Sequence, residues 1–456
     1  MIETLQHLPP AADSHGTLAA QFTDLAPPLT RRQAAIEAAR CLYCYDAPCM
    51  RACPTGIDVA SFIRNIHDEN INGAAIGILK QNIFGGSCAR VCPTEILCED
   101  ACVRNNPAER EPVKIGLLQR HAIDNATFAG HPFARGPATG KIIAVVGAGP
   151  AGLSCAHRLA MLGHDVVVFE ARPKAGGLNE YGIARYKLPG QFAQQEVDFL
   201  LEIGGIDIQY GQALGADLQL SDLHTRFDAV FLGLGLGASR RLGLVGEDAP
   251  GLMAATDYIA ALRQASDLST LPVPRRAVVI GAGNTAIDMA VQIKRLGADE
   301  VTLVYRRGFD AMSATGHEIE IAKLNGVRIR TWASPLEVLS GEDGRVVGMR
   351  FEETRLDDGR LARTGAFIDM AADAVFKAIG QAIEGPPADD ALAQGLWQGG
   401  ERIAVDCALR TKVPGIYAGG DCVSLGQDLT VQAVQHGKLA ALAIHNDIAA
   451  EAAWPT

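Results

Sequence analysis

Residues 141–170 read KIIAVVGAGPAGLSCAHRLAMLGHDVVVFE. An apolar run precedes the glycines, a helical pattern follows them, and a second apolar run ends the stretch. This order predicts a strand, a tight turn, a helix and a second strand, the unit that opens a dinucleotide-binding domain. Gly147, Gly149 and Gly152 would permit the turn, the approach of a pyrophosphate and close helix–strand packing. The predicted fold class is α/β.

Further segments favour FAD as the nucleotide of this unit. Glu170 ends the second strand, where a carboxylate can accept hydrogen bonds from ribose hydroxyls. Asp421 follows a glycine pair and could bind the flavin ribityl chain or phosphate, although an ordinary helix cap is the alternative. A helix start at 430–432 could aim backbone N–H groups at the flavin ring. The predicted FAD site comprises Gly147, Gly149, Pro150, Ala151, Gly152, Glu170, Gly177, Leu178, Gly380, Gly420, Asp421, Thr430, Val431 and Gln432.

A second unit of the same kind occupies residues 276–307, RAVVIGAGNTAIDMAVQIKRLGADEVTLVYRR. The position that matches Glu170 is held here by basic residues, which would accept the 2′-phosphate of NADPH, whereas an acidic residue would repel it. This favours NADPH over NADH, unless the arginines are merely solvated. The predicted NADPH or NADH site comprises Gly281, Gly283, Asn284, Thr285, Ala286, Arg306 and Arg307.

Eight of the 11 cysteines lie between Cys41 and Cys102. They form two runs, C-x2-C-x4-C-x3-C-P and C-x3-C-P-x4-C-x3-C, of which the first is close to the run of two-cluster ferredoxins. Zinc knuckles are the alternative, but only one C-x2-C is present. The spacing therefore predicts iron–sulfur clusters. Cys155 is expected in a helix core.

The composition excludes several classes of function. A net charge of -11 over 456 residues argues against binding to nucleic acid or to an anionic membrane. The N-terminus lacks a secretory signal, and the apolar runs are too short to span a bilayer, so we expect a cytoplasmic protein. No acid–base constellation is evident, and no catalytic residue is predicted. His436 is expected on a helix surface.

These features predict an α-helical domain with two [4Fe–4S] clusters, followed by two Rossmann-like domains, with the NAD(P)H domain inserted into the FAD domain. Thr30 would cap a helix that starts at Arg31, and 57–81 and 113–127 look helical. The predicted domains are an irregular arm (1–30), the cluster domain (31–135), the FAD domain (136–265 and 380–456) and the NAD(P)H domain (266–379).

The same stretches resemble a known family, the flavin and iron–sulfur electron-input subunits of bacterial dihydropyrimidine dehydrogenases. The matching segments include RCLYCYDAPCMRACPTGID, CARVCPTEILCEDAC, IGLLQRH, GAGPAGLSCA, GGLNEYGIARYKLP, GAGNTAIDMA and YAGGDCV. The small subunit of glutamate synthase has the same layout and is the nearest alternative. The glutamine of IGLLQRH favours the pyrimidine family, since the synthases usually carry an acidic residue there.

The resemblance implies a set of cluster ligands that spacing alone leaves open. One cluster would take Cys41, Cys44, Cys49 and Cys102, and the other Cys53, Cys92, Cys98 and Gln119. From the residues alone, Cys88 is the simpler eighth ligand. The resemblance also implies that NAD(P)H passes hydride to FAD, and that single electrons cross the clusters to a partner.

That partner would be an FMN-containing subunit of a hetero-oligomer that reduces uracil or thymine to the 5,6-dihydro form, because this chain has no barrel for FMN and pyrimidine. The remaining alternative is a non-enzymatic scaffold that bears clusters, against which the two nucleotide motifs argue.

Overall fold

The structure is a computed structural model that describes residues 2–11, 17–383, 389–397 and 402–453. Two compact units are present. The first consists of Met1–Leu25, Tyr181–Gly190 and Ala238–Ala382, and the second of Ala26–Glu180, Gln191–Gly237 and Ile383–Thr456.

The helices of the described residues are short, apart from the last. In chain order they are α1 (Thr17–Gln21), α2 (Arg31–Ala38), α3 (Pro48–Ala52), α4 (Val59–His67), α5 (Ile71–Gln81), α6 (Gly85–Val91), α7 (Ile115–Asn125), α8 (Pro150–Met161), α9 (Leu178–Tyr181), α10 (Phe192–Leu201), α11 (Leu220–Arg226), α12 (Ala255–Gln264), α13 (Asn284–Arg295), α14 (Gly316–Leu324), α15 (Ala391–Leu396) and α16 (Thr430–Ala453).

The strands of the described residues are β1 (Ile142–Val146), β2 (Asp165–Glu170), β3 (Ile206–Tyr210), β4 (Ala229–Leu232), β5 (Ala238–Ser239), β6 (Leu252–Ala254), β7 (Arg276–Gly281), β8 (Glu300–Val304), β9 (Arg328–Arg330), β10 (Ala333–Ser340), β11 (Val346–Asp357), β12 (Arg360–Ala371), β13 (Ala374–Ala378), β14 (Gln381–Ala382) and β15 (Ile416–Ala418).

A parallel sheet of order β15-β4-β1-β2-β3 forms the centre of the second unit. Its central strand, β1, pairs with β2 and β4, and residues 143–146 are buried, as expected for a strand covered on both faces. The predicted strand, turn and helix of residues 141–170 are thereby confirmed as β1, α8 and β2. The carboxyl ends of these strands carry the glycine turn.

The helices that carry the cysteine loops also belong to the second unit. Thr30 caps α2 through a capping box with Gln33, which confirms the predicted helix start. The predicted helical segments 57–81 and 113–127 contain α4, α5 and α7. Phe62, Ile63 and Leu118 lie in the core between these helices, and several of the cysteines pack against it.

The first unit contains a second parallel sheet, of order β6-β13-β7-β8-β9, and an antiparallel sheet of β10, β11 and β12. Residues 276–304 form β7, α13 and β8, as predicted. The segment predicted as an irregular arm contains α1, and Leu5, Leu18 and Phe22 are buried in the core of this unit. Burial of these apolar side chains holds the segment to the nucleotide-binding part of the chain. In the described residues, no helix is long and apolar enough to cross a membrane.

Candidate functional site

The first glycine turn can accept a pyrophosphate only because its residues lack side chains. Gly147 has φ +99°, a region that favours glycine, and a Cβ there would collide with the carbonyl oxygen of Gly233. A Cβ at Gly152 would collide with the carbonyl oxygen of Gly147. A Cβ added at Gly149, by contrast, would have only one atom within 4 Å, the Cα of Gly177 at 3.7 Å. The space beside Gly149 is therefore the open side of the cradle, at the N-terminus of α8.

Glu170 points its carboxylate at this turn. Its Oε2 accepts a hydrogen bond from Ala148 N at 2.7 Å, and its Oε1 accepts one from Arg172 N at 2.9 Å. Each carboxylate oxygen keeps a further lone pair for a ribose hydroxyl. The predicted role of Glu170 is therefore compatible with its position.

The start of α16 reaches the same region. Thr430 Oγ1 donates to Asn179 Oδ1 at 3.2 Å, one residue after the predicted site residue Leu178. Gly420 has φ +79°, and a Cβ there would lie 3.0 Å from Ala151 Cβ. Burial raises the pKa of the Asp421 carboxyl to about 6, with Asp428 adding to the rise and Arg402 opposing it.

His436 is a correction to the sequence interpretation. It was expected on a helix surface, but it is only 2 % exposed and its Nδ1 accepts a hydrogen bond from Gly420 N at 3.1 Å. Gly419 makes this possible, because a Cβ there would lie 2.9 Å from His436 Cβ. A neutral His436 then carries its proton on Nε2, which lies 2.9 Å from the side-chain amide of Gln432.

The second glycine turn, in the first unit, repeats the geometry. Gly281 has φ +148°, and a Cβ there would collide with the carbonyl oxygen of Ala378. Gly283 is the N-cap of α13, and Asn284 Oδ1 accepts from Thr315 N at 3.4 Å. Ala286 is fully buried. A second dinucleotide can therefore lie against the N-terminus of α13. Gly380, assigned from sequence to the FAD site, lies in this first unit.

Arg306 and Arg307 follow β8 and are exposed. Their backbone is held in place, since Thr354 Oγ1 donates to Arg306 O at 2.7 Å and Trp332 N donates to Arg307 O at 3.1 Å. In the described ranges, no carboxylate pairs with either guanidinium. Both side chains are thus available to a phosphate.

One turn beyond Asn284, a buried ion network stabilises the first unit. Lys187 Nζ lies 2.6 Å from Asp288 Oδ1 and 2.6 Å from Glu318 Oε1, and the three side chains are 8 to 12 % exposed. Tyr186 donates its hydroxyl to Asp288 Oδ1 at 3.1 Å. Burial alone would lower the pKa of Lys187, but the two carboxylates outweigh it and raise that pKa.

The cysteine thiols of the second unit fall into two groups, judged by their mutual effects on pKa. In the first group, burial raises the pKa of Cys49 to about 11, and Cys102 and Cys41 add to the rise. Burial also raises the pKa of Cys41, with Cys102 and Cys44 adding to it. These four residues are the predicted ligands of one cluster.

The second group surrounds Cys92. A hydrogen bond with Cys88, followed by burial, raises the pKa of the Cys92 thiol, and Cys98 and Cys53 add to the rise. Burial raises the pKa of the Cys98 thiol, and Glu99, Cys53 and Cys49 add to the rise. Among the described residues, no three His, Cys, Asp or Glu side chains converge closely enough to hold a single metal ion.

Gln119 lies on α7 and is 8 % exposed. Its Nε2 donates to Gly85 O at 2.7 Å. Cys88 is 2 % exposed and belongs to an apolar core that includes Phe84 and Leu79. The structure thus brings Cys88 beside Cys92 and holds Gln119 against the start of α6.

Two buried charged residues on α10 and α16 bind backbone groups near the cysteines of the same unit. Glu196 on α10 accepts from Gly86 N at 2.9 Å and Ser87 N at 3.0 Å, and also from Ser87 Oγ. Burial raises the pKa of Glu196 to about 7, against these hydrogen bonds. The carboxylate caps the N-terminus of α6.

The second is Lys438 on α16. Its Nζ donates to Thr55 O at 2.7 Å and to Gln81 O and Oε1, both at 3.1 Å. Burial lowers the pKa of Lys438 to about 8, with Arg158 adding to the fall and Cys53 opposing it.

Two protein-family models match the chain. The model described as pyridine nucleotide-disulphide oxidoreductase matches residues 141–437. The chain belongs to this family. The model described as dihydropyrimidine dehydrogenase domain II, 4Fe-4S cluster, matches residues 18–130. The glycine turns, which are open where a nucleotide would lie, and the grouped thiols, which can serve as cluster ligands, fit the FAD, NAD(P)H and [4Fe–4S] cofactors of these two families.

Curated relatives cover nearly the whole chain of this pyridine nucleotide-disulphide oxidoreductase. It is 34 % identical to the NAD-dependent dihydropyrimidine dehydrogenase subunit PreT of Salmonella typhimurium, over 93 % of this chain and 96 % of PreT. It is 35 % identical to the PreT subunit of Escherichia coli K12, with the same coverage of both chains. The glutamate synthase [NADPH] small chain of E. coli K12 is 34 % identical, over 93 % of this chain and 94 % of that protein.

Solved structures share the fold of this oxidoreductase. The crystal structure of T. acidophilum thioredoxin reductase gives a TM-score of 0.52 at 21 % identity, over 67 % of this chain and 98 % of that one. Mycobacterium tuberculosis FprA in complex with NADPH gives a TM-score of 0.56 at 22 % identity, over 69 % of this chain and 86 % of that one.

Sequence reasoning about this oxidoreductase missed Thr55, Glu196 and Lys438. All three residues are polar yet buried, and Lys438 interrupts a run of small and apolar residues in GKLAALA. A buried charge needs a partner, so such an interruption is a signal, but it does not say which distant segment supplies the partner.

Proposed function

We propose that this chain is the electron-input subunit of a dihydropyrimidine dehydrogenase. It oxidises NAD(P)H and passes the electrons through FAD and two [4Fe–4S] clusters to an FMN-containing partner, which reduces uracil or thymine. One observation supports this most strongly. A helical segment with two groups of cysteines lies in the same chain as two open glycine turns, and 93 % of this chain aligns with PreT.

FAD, when bound, converts a two-electron hydride donor into a source of single electrons. The chain supplies the surroundings. Gly149 would leave room for the pyrophosphate, Glu170 would accept from a ribose hydroxyl, and the N-terminus of α16 would present backbone N–H groups with the positive end of a helix dipole. Oxidation of one NAD(P)H releases two electrons, as many as saturation of one 5,6 double bond consumes. We place this chemistry in the cytoplasm, where thiols stay reduced.

The predicted site residues keep their proposed roles. Cys41, Cys44, Cys49 and Cys102 would hold one cluster, and Cys53, Cys92, Cys98 and Gln119 the other. The domain ranges also stay a proposal, in which the NAD(P)H range 266–379 falls inside the longer segment 238–382 of the first unit.

We expect the purified chain to reduce artificial dyes with NAD(P)H but to leave uracil unchanged. The reason is that no acid–base group for a pyrimidine is predicted in it. Dihydrouracil would be measured with and without an FMN-containing partner. Dihydrouracil formed by the chain alone would contradict the proposal, and activity only with a glutaminase-containing partner would favour the glutamate synthase alternative.

The nucleotide preference follows from Arg306 and Arg307. Their combined substitution, Arg306→Ser with Arg307→Glu, is expected to raise the KM for NADPH while it leaves the KM for NADH nearly unchanged. Each charge-assisted hydrogen bond to the 2′-phosphate contributes about 1.5–3 kcal/mol. Arg330→Ser, which removes an arginine already paired with Glu353 at 2.7 Å, is the matched control. A wild-type preference for NADH would show that the two arginines only meet solvent.

A further inference from the structure

Lys438 is a buried cation, and within the part of the chain that the structure describes no carboxylate pairs with it. Its three acceptors, Thr55 O, Gln81 O and Gln81 Oε1, are all neutral, and the residue is 9 % exposed. Burial of an unpaired charge is costly, and three good hydrogen bonds offset only part of that cost. Such a cation points to a negative group nearby that is bound when the protein works.

The contacts of Thr55 show where that group would lie. Thr55 is two residues after Cys53, is 2 % exposed, and its Oγ1 lies 3.3 Å from Cys53 Sγ. When Cys53 is a thiolate, the hydroxyl must be the donor. Gly56 closes this turn with φ +69° and donates its N–H to Cys53 O at 2.9 Å. One ammonium group therefore fixes the residue that donates to a cluster sulfur.

Lys438 also lies on the helix whose first turn is predicted to face the flavin. Its position, eight residues after Thr430, is a little more than two helical turns along α16. The same rigid element thus joins the proposed flavin site to the Cys53 turn within the second unit. Arg158 supplies a second cation close by, but its Nη2 donates to Lys80 O at 2.7 Å and not to the Cys53 turn.

We propose that Lys438 is a positioning residue that raises the reduction potential of the cluster held by Cys53. It does so through its positive charge and through the Thr55 hydrogen bond that it fixes. Net charge and hydrogen bonds to sulfur are among the factors that set cluster potentials. The proposal rests on the proposed function, in that a cluster must be bound at Cys53.

The test is a redox titration of the whole chain followed by electron paramagnetic resonance. In Lys438→Gln, which removes the charge but can still donate hydrogen bonds, the ratio of reduced to oxidised cluster should fall at least tenfold at a fixed potential. For a one-electron couple this equals 59 mV. The other cluster should be unchanged, and Lys438→Arg should resemble the wild type. Arg158→Gln is the matched control and should leave both clusters unchanged.

A second pair of variants keeps the proposal testable if Lys438→Gln fails to fold. Thr55→Val should lower the same potential, whereas Thr55→Ser, which keeps the hydroxyl, should not. Unchanged potentials in both Lys438→Gln and Thr55→Val would overturn the proposal while leaving the proposed function intact. A wild-type chain without reducible clusters would instead overturn the proposed function.

Discussion

Replacement of Lys187 by methionine is expected to lower the free energy of unfolding by about 3–5 kcal/mol, the range for breaking a buried ion pair by removing one partner. Lys187 lies 2.6 Å from both Asp288 and Glu318 and is 10 % exposed, so the variant leaves two carboxylates facing each other without a cation. Chemical denaturation followed by circular dichroism would measure the loss.

The matched control is Arg275→Met, which removes a cation from an ion pair in the same unit. Arg275 and Asp299 are 2.9 Å apart, but they are 81 % and 58 % exposed. An exposed pair contributes about 0–1 kcal/mol, so this variant should unfold almost like the wild type. An equal loss of unfolding free energy in the two variants would show that the buried network does not stabilise the protein more than an exposed ion pair does.

The pH dependence of the stability of Lys187→Met tests the same network independently. Burial already raises the pKa of Glu318 in the wild type, and Lys187 opposes that rise. Without the lysine, the folded pKa moves further above the unfolded value. Stability should then fall as pH rises from the unfolded pKa, about 4.3, through the folded one. Adding Glu318→Gln should restore part of the loss near neutral pH.

The architecture could be predicted because each glycine turn is encoded by residues that are close together in the sequence. Gly147 and Gly281 have backbone angles and close neighbours that exclude a side chain, so these glycines mark their turns from sequence alone. The cysteine runs were equally visible. The capping box at Thr30 likewise lies within four residues and fixed the start of α2.

Long-range contacts could not be predicted in this way. Lys438 bonds Thr55, 383 positions away along the chain, and Glu196 bonds Ser87 over 109 positions. His436 was misplaced for the same reason, since the glycine pair that accommodates its ring comes from another segment. The sequence shows that these residues are polar, but only the fold shows that they are buried and what they contact.

The choice of eighth cluster ligand has the largest expected effect on cofactor content. Gly85 O can only accept a hydrogen bond, so the Gln119 atom bonded to it at 2.7 Å must be the amide nitrogen. The amide oxygen therefore points elsewhere, and among the described residues it accepts no hydrogen bond. Since no protein hydrogen bond to this oxygen would have to be broken, it is available to a cluster iron.

Cys88 has the opposite character. It is 2 % exposed and packs among apolar side chains such as Phe84, where a thiol behaves as a small hydrophobic group. Its contact with Cys92 is local, because Cys92 directly follows α6, one helical turn after Cys88, and Cys92 N donates to Cys88 O at 3.0 Å. Both observations favour Gln119 as the ligand.

We therefore expect Gln119→Ala to reduce the iron content from about eight to about four atoms per chain, because each [4Fe–4S] cluster holds four. Cys88→Ala should keep both clusters. Gln119→Glu, which supplies a carboxylate oxygen at the same place, should retain the iron but lower the potential of that cluster, since it adds one negative charge.

Iron analysis and electron paramagnetic resonance would measure these outcomes, and denaturation of the apo-protein would separate them from a simple loss of the Gly85 hydrogen bond. Loss of four irons in Cys88→Ala, with Gln119→Ala unaffected, would make Cys88 the ligand.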